Sequence, residues 1–308
     1  MAQADAGFRL RVGGYQGPGS VHTAGLRRMA AGLGPGFDLD LVEDVTAAGQ
    51  TARSLFDGIE SGDFDLGYMA SGYITARVPE LAVLDLPFAV ADRHVAYAAL
   101  DGEAGRALSD AVAARTGLRV LDYWDNGFRH LTNRARPIRT PSDCAGLVVR
   151  TLDNQTYQDT MAAMGLTPVV TDVRELREAV ATGRVDAQEN PLTNSVIFEL
   201  FRHHPHVSMT GHFFGVVLLV ANAERLAAMD GDTRARLLAA VAAATAEQRR
   251  LAEAQDTDAL ARLRAEGVQV LGPDAIDLAA FRAATAPVSE RVLATLDPSL
   301  VALYCGSR

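Results

Sequence analysis

Apolar and polar positions follow two rhythms along this chain. A strand-like run at Phe8–Gly14 gives way to helical spacing over Ser20–Leu33. A strand at Phe37–Asp44, a helix at Thr51–Ser61 and a strand at Phe64–Met69 follow. That β-α-β-α-β order predicts a parallel sheet with helices on its faces. The apolar run VPELAVLDLPFAV (Val78–Val90) is broken by two prolines and reads as loop and short strand. Helical spacing returns over Arg93–Thr116, and Leu118–Trp124 reads as the next strand. After Trp124 the rhythm restarts with a strand at Gly146–Arg150, a helix closed by Gly165 and the strand TPVVT. The apolar run His212–Asn222 has the pattern of a strand buried on both faces. From Asp232 to Glu266 the chain has neither Pro nor Gly. A helix of that length reaches about 50 Å at about 1.5 Å per residue, so it is expected to lie across two lobes.

One unit is used twice. RSLFDGIESGDFD (Arg53–Asp65) aligns with RELREAVATGRVD (Arg174–Asp186), sharing Arg, Leu, Gly and Asp at equivalent places. Each copy reads as helix, glycine, buried strand. The second copy runs into Gln188-Glu189-Asn190-Pro191, a polar tip where the strand is expected to emerge. Ligands of open parallel sheets bind outside the carboxyl ends of the strands, so this tip is expected to face a cleft between two α/β lobes.

Composition narrows the function classes. At 308 residues the chain is long for one core, and 48% hydrophobic with 22% charged residues is ordinary for a globular protein. The formal net charge of −9 argues against nucleic-acid or anionic-membrane binding. Lysine is absent, which excludes Schiff-base, pyridoxal-phosphate and phosphate-loop lysines together. Cys144 and Cys305 are too far apart in sequence to form a metal or redox motif, and free thiols are expected. The apolar stretch Phe213–Ala221 is too short to span a bilayer. MAQADAG lacks the basic and apolar regions of a signal peptide, while Ala2-Gln3-Ala4 has the small-x-small form of a cleavage site. A mature chain with a new start Met fits that combination.

Enzyme motifs are scarce. There is no G-x-S-x-G, H-E-x-x-H or C-x-x-C; neither a cofactor nor a metal is expected, and the histidines of HHPH read as a helix-end feature. GGYQGPGS (Gly13–Ser20) sits at a strand–helix turn, but its glycine order departs from the dinucleotide fingerprint. A nicotinamide-dependent oxidoreductase is the enzyme alternative that this loop leaves open. Polar residues at strand ends are the better signal. Arg150 ends an apolar strand, Arg129 follows Gly127 in what reads as a looser turn, and Asn190 lies in the polar tip. Two guanidinium forks and an amide suit a carboxylate, whose oxygens arginine binds in a plane.

At these residues the chain resembles the solute-binding proteins of tripartite ATP-independent periplasmic (TRAP) transporters, the DctP family. The matching pieces are NGFRHLTNRARPIRTPSDCAGLVVRT, MGLTPVVTDVRELREAVATGRVDAQENP, LDLPFAV and TGHFFGVVLLVAN. The resemblance implies a two-lobed α/β periplasmic-binding fold of type II character, with hinge strands and a long helix crossing both lobes. The lobes are expected at 1–124 plus 212–252 and 125–211 plus 253–308, closing by a hinge around the ligand. It implies a periplasmic, non-enzymatic, monomeric carrier that delivers an organic acid to membrane permease subunits. A sugar acid, a hydroxy or keto acid and a dicarboxylate all remain open. A ligand-sensing module for a signalling partner would carry the same sequence. Arg150 falls on the family's main carboxylate clamp, Arg129 on its G-x-R position and Asn190 on its E-N-P asparagine. Tyr15, Ser71, Tyr73, Asn154, Phe213 and Phe214 are the further candidates for lining the pocket.

Overall fold

The computed structural model describes residues 7–306, and the Ala2-Gln3-Ala4 match lies outside them. The strands are β1 (Phe8–Gly13), β2 (Phe37–Val42), β3 (Leu66–Ala70), β4 (Leu118–Asn133), β5 (Val148–Thr151), β6 (Thr167–Val170), β7 (Ala187–Pro191), β8 (His206–Asn222) and β9 (Gln269–Leu271). The chain packs as two compact units. Among the described residues the first takes 7–70 with 109–125 and 217–252, and the second takes 71–108, 126–216 and 253–306.

In the first unit the strand order is β2-β1-β3-β8-β4. β1 is parallel to β2 and β3, and β3 runs antiparallel to the last part of β8. The first two helices form where the periodicity predicts them, and each has a side chain to satisfy its first turn. Ser20 Oγ accepts the Thr23 N–H (3.1 Å), and Thr51 Oγ1 accepts that of Ser54 (3.0 Å). Caps of this kind contribute about 1 kcal/mol each. Leu10, Val12, Leu26, Met29, Leu55, Ile59 and Trp124 fill the core with almost no exposure.

The second unit repeats the plan. Its order is β8-β4-β7-β5-β6, with β9 parallel to the start of β8. β5 is parallel to β6 and β7, and β7 runs antiparallel to β4. Leu131, Val149, Met161, Phe213 and Phe281 form its core.

The repeated sequence unit occupies the same place in both. Its helix (Ala52–Ser61, Leu176–Thr182) ends at a left-handed glycine, Gly62 (φ 90°) or Gly183 (φ 77°). Its aspartate then pins the neighbouring central strand. Asp65 Oδ2 accepts the Arg11 N–H at 2.6 Å, and Asp186 Oδ2 accepts the Val148 N–H at 3.0 Å.

Four expectations change. Segment 71–108 packs with the second unit instead of the first: Phe88 joins that unit's core, Arg93 pairs with Asp256, and Asp85 accepts from Asn154. Pro79–Asp85 is a 3-10 helix, not a strand. β4 does not stop at Trp124 but continues to Asn133, so Arg129 is a strand residue buried to 3% exposure and not part of a loose turn. Gln188-Glu189-Asn190 are likewise no emerging tip; they are the body of β7, and every residue of it is buried. Polar residues of the two strands can be buried where they satisfy one another across the β4–β7 pairing, as Arg129 does with Glu189 and Thr132 with Gln188. The helix Gly231–Ala265 has the predicted length, and the chain passes from one unit to the other within it.

Candidate functional site

β4 and β7 meet in a buried ion pair. Arg129 Nε donates to Glu189 Oε2 (2.5 Å), and Nη2 donates to Oε1 (2.9 Å) and to the Glu189 carbonyl (2.8 Å). The strands come this close because Gly127 (φ 86°) has no side chain; a Cβ there would sit 3.0 Å from Pro191 Cβ. Thr151 Oγ1 also donates to Glu189 Oε1 (3.2 Å), and His212 Nε2 lies 3.7 Å from Oε2. Burial alone would raise the Glu189 carboxyl, but the Arg129 charge and hydrogen bonds outweigh it and bring it down to about 2. The same pairing raises Arg129 against the opposing effect of burial. Burial also lowers His212, leaving that ring neutral near pH 7. Asn190 is committed too: its Oδ1 accepts from Arg129 Nη2 (3.2 Å) and Asn194 Nδ2 (3.3 Å), and its Nδ2 donates to Gln188 Oε1 (2.6 Å).

Arg150 is different. It sits on β5 beside β7, in register with Gln188, with 2% exposure. Its Nε donates to the Thr171 carbonyl at 2.9 Å, while its buried Nη2 has no hydrogen-bond partner. Among the described residues no carboxylate lies within ion-pair distance of it. A buried guanidinium without a counter-ion is costly, and an anion from outside would relieve that cost. Tyr73 is beside it: burial raises the phenol, and Arg150 opposes that rise through its charge and a hydrogen bond.

The other candidates separate into those near this pair and those elsewhere. Asn154 caps the helix Gln155–Ala163 by accepting the Tyr157 N–H (3.1 Å). Its amide donates to Asp85 Oδ2 (2.8 Å) and the Gly72 carbonyl (3.0 Å), so it acts as a brace. Ser71 is buried in the same turn, Ser71–Tyr73. Phe213 stacks on Tyr157 (centroids 4.1 Å apart), and the Arg129 guanidinium lies over the Tyr157 ring at 5.5 Å. Phe214 instead packs on Phe128 (5.1 Å), as expected for adjacent strand residues on opposite faces. Tyr15 belongs to the first unit, where its hydroxyl accepts the Ala70 N–H (3.3 Å) and its ring packs on Tyr68. The Gly13-Gly14 pair has a packing cause: added Cβ atoms would meet Leu55 Cδ1 at 2.4 Å and Tyr68 Cε1 at 2.9 Å. Among the described residues no group of acidic, His or Cys side chains is arranged to hold a metal.

Sequence reasoning missed Glu189, Tyr157, Asp85 and His212. Glu189 was the most accessible of these, lying in the polar segment Gln188-Glu189-Asn190-Pro191 beside Asn190. Asp85 is pushed up to about 6 by burial, against hydrogen bonds from Thr75 and Asn154. Its only signal was an acid inside the apolar run LAVLDLPF.

Residues 47–295 match the family described as bacterial extracellular solute-binding protein, family 7 (DctP). A solute-binding protein of Verminephrobacter eiseniae is 33% identical over 240 residues, covering 77% of this chain and 70% of the relative. A TRAP periplasmic solute-binding protein of a Polaromonas species, solved bound to D-erythronate, superposes with a TM-score of 0.91 at 27% identity, covering 98% of this chain and 99% of the other. The sugar-acid-binding protein DctPAm of Advenella mimigardefordensis, solved with galactonate, gives 0.91 at 25% identity, covering 97% and 98%.

Proposed function

The chain belongs to the DctP family, the solute-binding proteins of TRAP transporters and not a family of enzymes, and from that premise we propose that it captures a small hydroxylated organic acid by its carboxylate, which Arg150 holds. The observation that carries the reading is the unpaired, buried Nη2 of Arg150 on a rigid strand. A guanidinium fixed in this way loses little entropy on binding and offers planar, charge-assisted hydrogen bonds. Arg129 is the positioning residue. Its Nε and Nη2 are engaged by Glu189, and through Asn190 and Tyr157 it stiffens the wall beside Arg150. The erythronate- and galactonate-bound relatives support a polyol acid as the ligand class. The periplasm is the compartment and a TRAP permease the recipient, as the family implies.

A thermal-shift screen of mono-, di-, keto- and sugar acids tests this. A ligand at 100 times its dissociation constant should add about 2.7 kcal/mol of apparent stability, with its amide or alcohol inert. Equal shifts from uncharged sugars would remove the carboxylate reading.

A further inference from the structure

The second unit holds a cavity of about 420 Å³, within the range of about 300–1,000 Å³ typical of small-molecule sites. Phe128 and His130 line it, whereas Arg129 between them turns to Glu189. Successive strand residues point to opposite faces, so the cavity lies across β4 from the ion pair. Neither Arg129 nor Arg150 lines it. Phe128, Leu192, Met209, Leu260 and Leu278 supply apolar walls.

Its charged lining consists of Arg93, Asp256 and Arg282. Arg93 and Asp256 are ion-paired and cancel. Arg282 donates to the Phe88 carbonyl (3.1 Å) and lies over the Phe88 ring (4.9 Å), with no carboxylate partner among the described residues. One positive charge is therefore left uncompensated. His130, 7% exposed, accepts the Gly211 N–H on Nδ1 at 3.0 Å, which places its proton on Nε2, with no acceptor among the described residues. Burial, then the neighbouring His212 and Arg129, brings His130 down to about 3, so it stays a neutral donor at pH 7.

We propose that this cavity is a second small-molecule site, separate from the Arg150 site, which takes an amphipathic monocarboxylate with its apolar body between Phe128, Leu192 and Leu260 and its carboxylate on Arg282. The cleft is open, with Arg282 exposed and Phe128, Leu260 and Leu278 half-buried, so its apolar walls and single unpaired cation favour an anion over cations, which Arg282 repels.

Octanoate is the probe, titrated calorimetrically into the full chain. Binding should be saturable in wild type and unchanged in Arg150→Lys. It should weaken by about tenfold or more in Arg282→Gln, which loses a charge-assisted contact. Leu260→Trp, which fills the cavity, should abolish it. Octylamine should not bind, and octanol should bind at least about tenfold more weakly. Binding lost in Arg150→Lys would place octanoate in the carboxylate site and overturn the proposal. Unchanged binding in Arg282→Gln would overturn the anion assignment, and unchanged binding in Leu260→Trp the cavity. Should either variant melt before titration, the wild type decides by NMR: octanoate must shift the amides of Gly211 and Thr257, and shifts confined to residues around Arg150 would refute the second site.

Discussion

β3 and β7 follow the same helix and the same left-handed glycine, and each lies between a parallel and an antiparallel neighbour. The register is equivalent as well. Gly13 pairs with Gly67 in the first unit, and Arg150 pairs with Gln188 at the corresponding position of the second. The first pairing has no room for side chains: a Cβ on Gly67 would meet the Gly13 carbonyl oxygen at 2.7 Å. Its strand continues into Tyr68, whose hydroxyl accepts the N–H groups of Tyr15 (3.2 Å) and Gln16 (3.0 Å). In the second unit the same positions carry the guanidinium proposed to hold ligand, an amide and Glu189. One backbone frame thus supports an apolar core in one copy and a buried polar scaffold in the other, which locates function in side chains placed on a shared fold.

The largest effect expected from breaking this contrast is at Glu189. Glu189→Gln keeps the shape but leaves Arg129 buried without its counter-charge, a loss of about 3–5 kcal/mol in urea unfolding. A loss below about 1 kcal/mol would mean that water already reaches the pair.

Arg150→Lys comes next, and its effect belongs to binding instead of folding. It keeps the charge but loses the planar fork, so affinity for the acid identified by screening should fall by about 2 kcal/mol, roughly thirtyfold. Arg129→Lys should show the reverse, with stability reduced more than affinity, because its Nε and Nη2 are already hydrogen-bonded to Glu189. Calorimetry and unfolding on both variants separate the two roles. A wild-type affinity in a folded Arg150→Lys variant removes the clamp assignment.

This division between the arginines marks where the sequence stopped being readable. Elements driven by burial periodicity and caps were legible: β1, the helix Val21–Leu33, the repeat and the long helix. The second half of β4 and all of β7 were not, because WDNGFRHLTN and QENP break the alternation that signals a half-buried strand. Their burial depends on partners distant in sequence, such as Gln188 Nε2 donating to Thr132 Oγ1 at 2.7 Å. Arg150 was legible as a strand end because its apolar run is local. That it lacks the counter-ion Arg129 has could be seen only in three dimensions.

The aspartate shared by both copies offers a control, since it should act alike in each. Asp65→Ala and Asp186→Ala each remove an acceptor for a central-strand N–H, at a cost of about 1–2 kcal/mol. Asp65 also meets Arg225 (2.6 Å), but that arginine is 39% exposed, so the extra loss should be small. Unequal losses by more than about 1 kcal/mol would show that the copies are not equivalent in energy.

The smallest effect is expected at Asp85, which braces Asn154 in the second copy's unit and is raised to about 6 by burial. A carboxyl whose folded pKa is raised contributes stability that is fully present below its unfolded value, about 3.8, and is lost as pH rises through about 6. Asp85→Asn removes that dependence. Its oxygen can still accept from Thr75 and Asn154, although those bonds lose their charge-assisted strength near pH 7. The variant should therefore match wild type near pH 4 and exceed it by about 1 kcal/mol at pH 7, less than the full linkage value. Buried histidines such as His130 and His204, both lowered to about 3, also change stability as pH falls below 6.5. Their contribution is common to both proteins and cancels in the difference. Glu189, at about 2, titrates below the window. Unfolding free energies of the two proteins at several pH values decide the matter: a difference that stays flat from pH 4 to pH 7 would mean that Asp85 is ionised throughout, with its unpartnered Oδ1 solvated.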